Sequence, residues 1–278
     1  MKKQTRRQFV TKLALLPAAF VLPRFAGSFS VFANESKNKK STVMNPTSSY
    51  MPPYVELQKS GELKARGELL WDRMKDCDLC PRNCYTNRIR GRRGDCNANS
   101  TLEISSAYPH FGEEPELTGK NGSGTIFLTN CALLCVFCIN YDVSQKGQGR
   151  RYSISDMADM MLSLQNIGAH NINFVSPSHY LPHILLALDI AAAKGLRLPV
   201  VYNSSGWEKE DVLRYLDNVV DVYLPDFKYL DANSADKYSP GARTYPEYAQ
   251  KAMLEMHRQV GVAVPDSSSG IMRKGLMI

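Results

Sequence analysis

Three cysteines at the spacing C-x3-C-x2-C are the residues of this chain with the most specific chemistry. Cys131, Cys135 and Cys138 follow an apolar run, Thr125 to Thr129, that predicts a buried strand. A tetrahedral zinc site or a complete iron–sulfur cluster takes four protein ligands. Three thiolates on one short loop instead fit a four-iron cluster with one iron left open. An open coordination position is typical of a catalytic metal rather than a structural one.

A second group of cysteines precedes this loop. Its members are Cys77, Cys80, Cys84 and, after a glycine-containing loop, Cys96. Four thiolates supply a complete tetrahedral set, and both zinc and an auxiliary iron–sulfur cluster fit, because spacing alone does not choose between them. The arginines interspersed here could lower thiolate pKa values, contact an anionic partner or, as we favour for most of them, form a solvated basic face; they are Arg82, Arg88, Arg90, Arg92 and Arg93.

All seven cysteines lie between Cys77 and Cys138. A secreted disulfide scaffold usually has an even number of cysteines in a much shorter chain, so the pattern favours metal ligation. Paired disulfides remain the alternative, because the N-terminus indicates export.

Residues 1–33 are typical of a cleavable signal. Paired arginines, Arg6 and Arg7, precede Phe9 and an apolar run from Leu13 to Leu22, as in a twin-arginine signal. The run is shorter than the ~20 residues that span a bilayer. We therefore expect an exported, periplasmic protein with no membrane span in the mature chain; the alternative is a cytoplasmic protein with a basic tail.

The formal charge of +7 comes almost entirely from this segment, which carries six basic residues and no acidic one. The rest of the chain is nearly neutral, so its charge does not favour a nucleic-acid partner.

The remaining chain divides into three predicted parts. Residues 34–53 are polar without apolar periodicity and predict a flexible linker. Residues 54–119 predict a helical, cysteine-rich metal-binding module. It contains a strand over 102–107 and a loop over 108–115, in which His110 is either a contact to a cluster or substrate or, as we favour, an ordinary satisfied histidine.

Residues 120–278 alternate between strand and helix patterns. The predicted strands are 125–129, 171–175, 198–202 and 219–224, and the predicted helices are 153–167, 181–194, 209–216 and 245–260. This alternation predicts an α/β fold with a parallel sheet covered on both faces, an open or closed β/α barrel. Functional residues should lie at the carboxyl ends of its strands. Gly275 to Ile278 reads as the start of a fifth strand, so we expect the chain to be a fragment or a truncated product.

The three-cysteine loop and its flanks, Gly124 to Leu128 and Cys138 to Gln145, resemble radical S-adenosylmethionine (SAM) enzymes. They are most similar to proteins named after the pyruvate formate-lyase activating enzyme, and the resemblance extends from about Cys77 to the last residue. It implies a partial radical SAM β/α barrel and a [4Fe-4S] cluster whose open iron binds S-adenosyl-L-methionine. It also implies reductive cleavage to a 5′-deoxyadenosyl radical for hydrogen abstraction, an external electron donor and, as one option, a protein substrate that is converted to a glycyl radical.

The resemblance also assigns cofactor-binding candidates. Phe137 would lie near the adenine, with core packing as the alternative. Ser176 and Ser178 stand where many members carry Gly-Gly-Glu, and Asn203 begins a polar turn that would approach the ribose and carboxylate. Asp226 and Lys228 match an Asp-x-Lys word of the cofactor pocket, with a structural ion pair or a solvated loop as the alternative.

Two histidines have a spacing that metal ligands can also show. His179 and His183 are four residues apart, but Pro182 between them suits a first helical turn, so we do not predict a metal there. No catalytic residue is assigned. The competing function classes are a non-catalytic iron–sulfur electron carrier and a metal-stabilised binding protein.

Overall fold

The structure is a computed structural model that describes residues 50–278. The predicted signal, residues 1–33, and residues 34–49 of the predicted linker lie outside the described residues. Where the predicted linker enters the described part, the Tyr50 hydroxyl donates a hydrogen bond to Asp221 Oδ1 at 2.5 Å, and Pro52 is buried. That end of the segment is therefore packed against the rest of the fold.

Helices and strands alternate along most of this part of the chain. The α-helices are α1 (Tyr54–Lys59), α2 (Glu62–Asp72), α3 (Pro115–Thr118), α4 (Tyr141–Ser144), α5 (Ile154–Ile167), α6 (Leu181–Ala193), α7 (Glu210–Leu213), α8 (Ala232–Tyr238) and α9 (Tyr245–Val260). The strands are β1 (Leu102–His110), β2 (Ser123–Leu128), β3 (Arg150–Tyr152), β4 (Ile172–Val175), β5 (Val200–Ser204), β6 (Val222–Pro225), β7 (Val264–Pro265) and β8 (Met272–Leu276). Short 3₁₀ turns cover Arg73–Asp76, Ser178–Tyr180 and Arg214–Leu216.

The fold is α/β, built on one mixed, open sheet of eight strands in the order β3-β1-β2-β4-β5-β6-β8-β7. Its centre is parallel, as predicted: β2, β4, β5, β6 and β8 run in the same direction. Both edges depart from the prediction of a parallel sheet, because β1 pairs antiparallel with β2 and β3, and β7 pairs antiparallel with β8. The β7–β8 connection is too short for the helical crossover that parallel neighbours need.

Local sequence signals explain the helices that were predicted well. Helix α5 begins with a capping box, in which the Ser153 hydroxyl accepts from the Asp156 amide and the Asp156 carboxylate accepts from the Ser153 amide. Gly168 ends the helix in a left-handed conformation. Helix α9 spans the predicted 245–260.

Other boundaries were predicted wrongly. The predicted loop over 108–115 starts too early, because Tyr108 and His110 pair with Thr125 and Ser123 of β2 and belong to β1. Strand β8 begins at Met272 instead of Gly275, and helix α8 and strand β7 were not predicted. These pairings depend on residues distant in sequence, which local patterns do not reveal.

Helices α1 and α2 pack on α6, outside the sheet. The Tyr54 hydroxyl donates to the Leu198 carbonyl at 2.8 Å. Gly67 allows a close approach, since a Cβ at that position would lie 2.9 Å from Leu186 Cγ. The predicted helical module and barrel therefore share one hydrophobic core in the described residues. None of the helices in residues 50–278 is long and apolar enough to cross a membrane.

Candidate functional site

The three-cysteine loop lies at the carboxyl end of β2, as predicted. Two left-handed residues, Asn130 (φ 69°) and Leu134 (φ 59°), turn the chain at this point. The loop is held from outside: Gln145 Nε2 donates to the Cys135 carbonyl at 2.6 Å, and the Val136 amide donates to the Tyr238 carbonyl at 2.9 Å. Both bonds tie the backbone of the loop to residues that follow it in the chain.

The three thiols border one apolar cluster. Cys135 is buried there with Trp207, Tyr229 and Tyr245, and Cys131 and Cys138 pack against the same cluster. Burial raises the pKa of the Cys131 thiol to about 11, and burial also raises the pKa of Cys135. A hydrogen bond with Ser239 and the positive charge of Lys228 partly oppose this rise in the pKa of Cys135.

All seven cysteines are free thiols, so the disulfide alternative is not realised in this structure.

The Asp226–Lys228 pair lies beside this loop. Lys228 Nζ lies 2.7 Å from Asp226 Oδ2, so the ion pair that was the structural alternative is present. The Lys228 charge also acts on the Cys135 thiol and favours its thiolate. The pair thus combines a structural contact with a position at the candidate site.

Phe137 projects from the loop with 54 % of its surface exposed. Its ring meets Tyr229 edge-to-face, with 6.2 Å between the ring centroids. Packing in the core, the alternative for Phe137, is therefore wrong. The side chain instead forms an aromatic wall next to Cys138.

The serines after β4 differ in availability. Ser176 is half-buried in a left-handed conformation (φ 57°), and its amide donates to the Asn203 carbonyl at 2.9 Å. Ser178 is buried, and its hydroxyl donates to Glu208 Oε1 at 2.5 Å. Of the two, Ser176 presents its side chain nearer to solvent.

Asn203, near the carboxyl end of β5, is half-buried, and its side-chain amide donates to Glu113 Oε1 at 3.1 Å. The structure thus places Ser176 and Asn203 at one end of the sheet, whereas Ser178 is engaged below the surface.

The four-cysteine group forms a second thiol-rich neighbourhood. A Cβ at Gly94 would lie 3.0 Å from Cys84 Sγ and 3.8 Å from Cys96 Sγ, so both sulfurs face the same glycine. A hydrogen bond with Cys77 lowers the pKa of Cys84 to about 5. Burial, followed by the charge of Cys96, raises the pKa of Cys80 to about 12. The four thiols therefore act on one another although they are spread along the chain.

A buried cation accompanies this group. Arg88 is fully buried, its Nη1 lies 3.7 Å from Cys77 Sγ and its Nη2 donates to the Asn99 carbonyl at 2.8 Å. Its Nε has no hydrogen-bond partner. A buried guanidinium needs a compensating negative charge. A hydrogen bond with Cys84 and burial raise the pKa of Cys77, and burial raises the pKa of Cys96; the charge of Arg88 partly opposes both shifts. Arg88 was predicted with the basic surface, and for this residue the prediction is wrong.

The thiols of the two cysteine groups are chemically suited to the predicted metals. Thiolates are the ligands that zinc and iron–sulfur clusters prefer. Among residues 50–278, however, no three Cys, His, Asp or Glu side chains converge closely enough to hold a metal ion as they stand.

Arg82 joins the two cysteine groups. It lies between Cys80 and Cys84, and its Nε donates to the Ala132 carbonyl in the three-cysteine loop at 2.5 Å. Nη2 donates to the Leu133 and Pro240 carbonyls at 3.3 and 2.9 Å. The guanidinium also lies over the Trp207 ring, 5.3 Å from its centroid. Sequence patterns did not reveal this contact.

Three histidines have structural contacts within the fold. His179 Nε2 donates to the Thr129 carbonyl and His183 Nε2 to the Ser100 carbonyl, each at 2.8 Å. Burial lowers their pKa values to about 3 and about 4. His110 stacks edge-to-face on Phe127, with the ring centroids 5.5 Å apart.

Comparison with known proteins identifies one relative. The chain is 31 % identical over 192 residues to the uncharacterized protein MJ0674 of Methanocaldococcus jannaschii. The match covers 66 % of this chain and 55 % of the relative, so the chain spans about half the length of the curated relative it matches. No protein-family model matches, and no solved structure matches.

Proposed function

We propose that the protein is a radical SAM enzyme that binds a [4Fe-4S] cluster through Cys131, Cys135 and Cys138. The observation that carries the proposal is the position of this loop. Three thiols on one segment at the carboxyl end of a central parallel strand lie beside Lys228, Asp226 and an exposed aromatic ring. Ligand sites of open α/β sheets occur at this end of the strands.

When bound, the cluster and S-adenosylmethionine would supply a 5′-deoxyadenosyl radical for hydrogen abstraction from a substrate, with a protein glycine as one option. The chain's own residues orient and enclose that chemistry. Lys228 offsets the negative charge of the thiolates. Phe137 and Tyr229 present an apolar surface for a planar base, while the buried Trp207 and Tyr245 exclude water from beneath the loop.

The four-cysteine group would hold a second metal, either zinc or an iron–sulfur cluster. The buried Arg88 supports an anionic, fully deprotonated thiolate set there, because the guanidinium has no carboxylate partner among its hydrogen bonds. We also propose that the fold is a partial radical SAM β/α barrel and that residues 1–33 direct export of the protein. An external electron donor would reduce the cluster.

Electron paramagnetic resonance of the anaerobically reconstituted and reduced full chain tests this function. We expect a four-iron signal whose shape changes when S-adenosylmethionine is added. A variant with Cys131, Cys135 and Cys138 changed to alanine should lose this response but keep the metal of the four-cysteine group. A cluster signal that is indifferent to S-adenosylmethionine would contradict the proposal and favour an electron carrier.

A further inference from the structure

One face of the central sheet is open at the level just before the cysteine loop. Four residues lie side by side there in the registers of β2, β4, β5 and β6, and all of them are half-buried: Phe127, Val175, Asn203 and Leu224. Their sequence predecessors, on the opposite face, are buried: Ile126, Phe174, Tyr202 and Tyr223. The half-buried row therefore crosses the sheet just before the carboxyl ends of its strands, where the cysteine loop begins.

The carboxylate of Glu113 lies over this row. Asn203 Nδ2 donates to Glu113 Oε1 at 3.1 Å, and Asn173 also acts on the carboxylate as a hydrogen-bond donor. Glu113 follows β1 in the short connection to α3, and its side chain is half-buried. The Asn203 amide thus anchors the Glu113 carboxylate, and the Asn173 amide of the neighbouring strand also favours its charged form.

A buried acceptor next to it has no partner. Asn173 is fully buried, its Nδ2 donates to Ser123 Oγ at 3.2 Å, and its Oδ1 has no hydrogen-bond partner. An unpaired buried carbonyl oxygen is costly, so a donor group that reached it would be stabilised. The carboxylate and this oxygen together form an acceptor-rich site.

The charged groups that act on Glu113 are a histidine and another glutamate. The largest charge effects on it come from His110 and Glu114, and no ion pair joins it to a lysine or arginine within residues 50–278. Burial raises the pKa of Glu113, because the carboxylate is partly removed from water and its hydrogen-bond donors are neutral amides. Phe127, stacked against Tyr108 with 5.7 Å between the ring centroids, adds an aromatic wall.

We infer that Glu113, Asn203 and Asn173 bind a positively charged, hydrogen-bond-donating group, a primary ammonium, on the molecule that occupies the open face. This inference rests on the proposed function and names the substrate class, an amine-bearing compound or side chain. The ammonium donates to the Glu113 carboxylate and to Asn173 Oδ1, and the carbon chain lies along Phe127. S-adenosylmethionine carries the same chemical group and is the second source.

Titration of the metal-free, isotope-labelled full chain with n-butylammonium chloride tests the site, with n-butanol as the uncharged probe. We expect saturable shifts of the Asn203 and Asn173 side-chain amide signals with n-butylammonium only. Glu113→Gln should weaken binding at least tenfold, and the neighbouring, exposed Glu114→Gln should leave it within twofold. Absence of a saturable shift, or equal binding by Glu113→Gln, would overturn the inference.

A second titration on the reconstituted protein separates the two sources of ammonium. It compares S-adenosylmethionine with 5′-methylthioadenosine, which lacks the ammonium. Unchanged affinity of Glu113→Gln for both compounds supports an ammonium on the substrate. A selective loss of S-adenosylmethionine affinity would overturn the substrate assignment. Because the n-butylammonium arm needs no metal, it remains informative if the cluster proposed above fails to form.

Discussion

The side chains of Asn97 and Asn130 are joined by a hydrogen bond, in which Asn97 Nδ2 donates to Asn130 Oδ1 at 3.2 Å. Asn97 directly follows Cys96, and Asn130 directly precedes Cys131. Both residues are left-handed, with φ of 62° and 69°, a conformation that asparagine tolerates better than most residues. Together with Arg82, this bond connects the two cysteine groups at two separate points.

Arg82→Ala should therefore loosen the three-cysteine loop although Arg82 carries no thiol. It removes charged donors to the carbonyls of Ala132, Leu133 and Pro240, and we expect a loss of about 2 kcal/mol in the free energy of unfolding. Alkylation of Cys131, Cys135 and Cys138 in the metal-free protein, measured by mass spectrometry, should accelerate.

The exposed Arg92→Ala is the matched control and should behave like the wild type. Equal alkylation rates in the Arg82→Ala and wild-type proteins would show that Arg82 does not hold the loop.

Arg88→Met should destabilise the metal-loaded protein more than the metal-free one. A buried tetrathiolate site with a metal bound carries net negative charge, and removal of its buried counter-charge costs roughly 3–5 kcal/mol. Chemical denaturation with and without metal measures both values. The exposed Arg90→Met provides the comparison, and an equal loss in both states would exclude charge compensation as the role of Arg88.

Gly94→Ala should weaken metal retention by the four-cysteine group. The added methyl group would lie 3.0 Å from Cys84 Sγ, and accommodating it should cost about 1–3 kcal/mol. We expect metal transfer to a chelator to be faster by about tenfold, since each 1.4 kcal/mol is a factor of ten. Asp95→Ala, at an exposed neighbour, should transfer its metal at the wild-type rate.

The buried carboxyl of Asp221 predicts a pH dependence of stability. Burial raises its pKa to about 7, while its Oδ2 accepts from the Val200 amide at 2.7 Å. The pKa of an aspartate in the unfolded chain is about 3.9. At pH values between about 3.9 and about 7, the folded protein therefore binds one more proton at Asp221 than the unfolded chain does. Stability should therefore fall as pH rises from about 4 to about 7, by up to about 1.4 kcal/mol for each pH unit, and be independent of this group above that range.

Asp221→Asn removes the titrating group and should flatten this dependence. Denaturant unfolding of both proteins at a series of pH values gives the two slopes. Equal slopes would assign the pH dependence to other groups, of which Glu208, with a pKa raised to about 7 by burial, is one.

The sequence predicted the elements whose signals are local. The capping residues of α5 and the apolar runs of the central strands all lie within a few residues. Their consequence, a cysteine loop at the carboxyl end of a parallel strand, followed directly. The sheet edges were missed because antiparallel pairing of β1, β3 and β7 depends on distant partners.

Within the candidate site, the residues that sequence reasoning missed are those whose role depends on a tertiary contact. Trp207 and Glu208 carry no motif, and Glu113 was one acid in a predicted loop. Arg82 and Arg88 look the same in sequence as the exposed Arg90 and Arg92. A partial signal existed, because an arginine between two closely spaced cysteines has little freedom to lie far from their thiols.

The hydrogen bond from Tyr54 to the Leu198 carbonyl spans 144 residues and bears on how the chain is made. At about 5–20 residues per second, the ribosome completes that interval in roughly 7 to 29 seconds. For most of this time the apolar faces of α1 and α2 have no docking partner, since α6 (Leu181–Ala193) is synthesised only near the end of the interval. The newly made N-terminal half is therefore exposed to aggregation, and a chaperone that binds apolar helices would protect it until the sheet is complete.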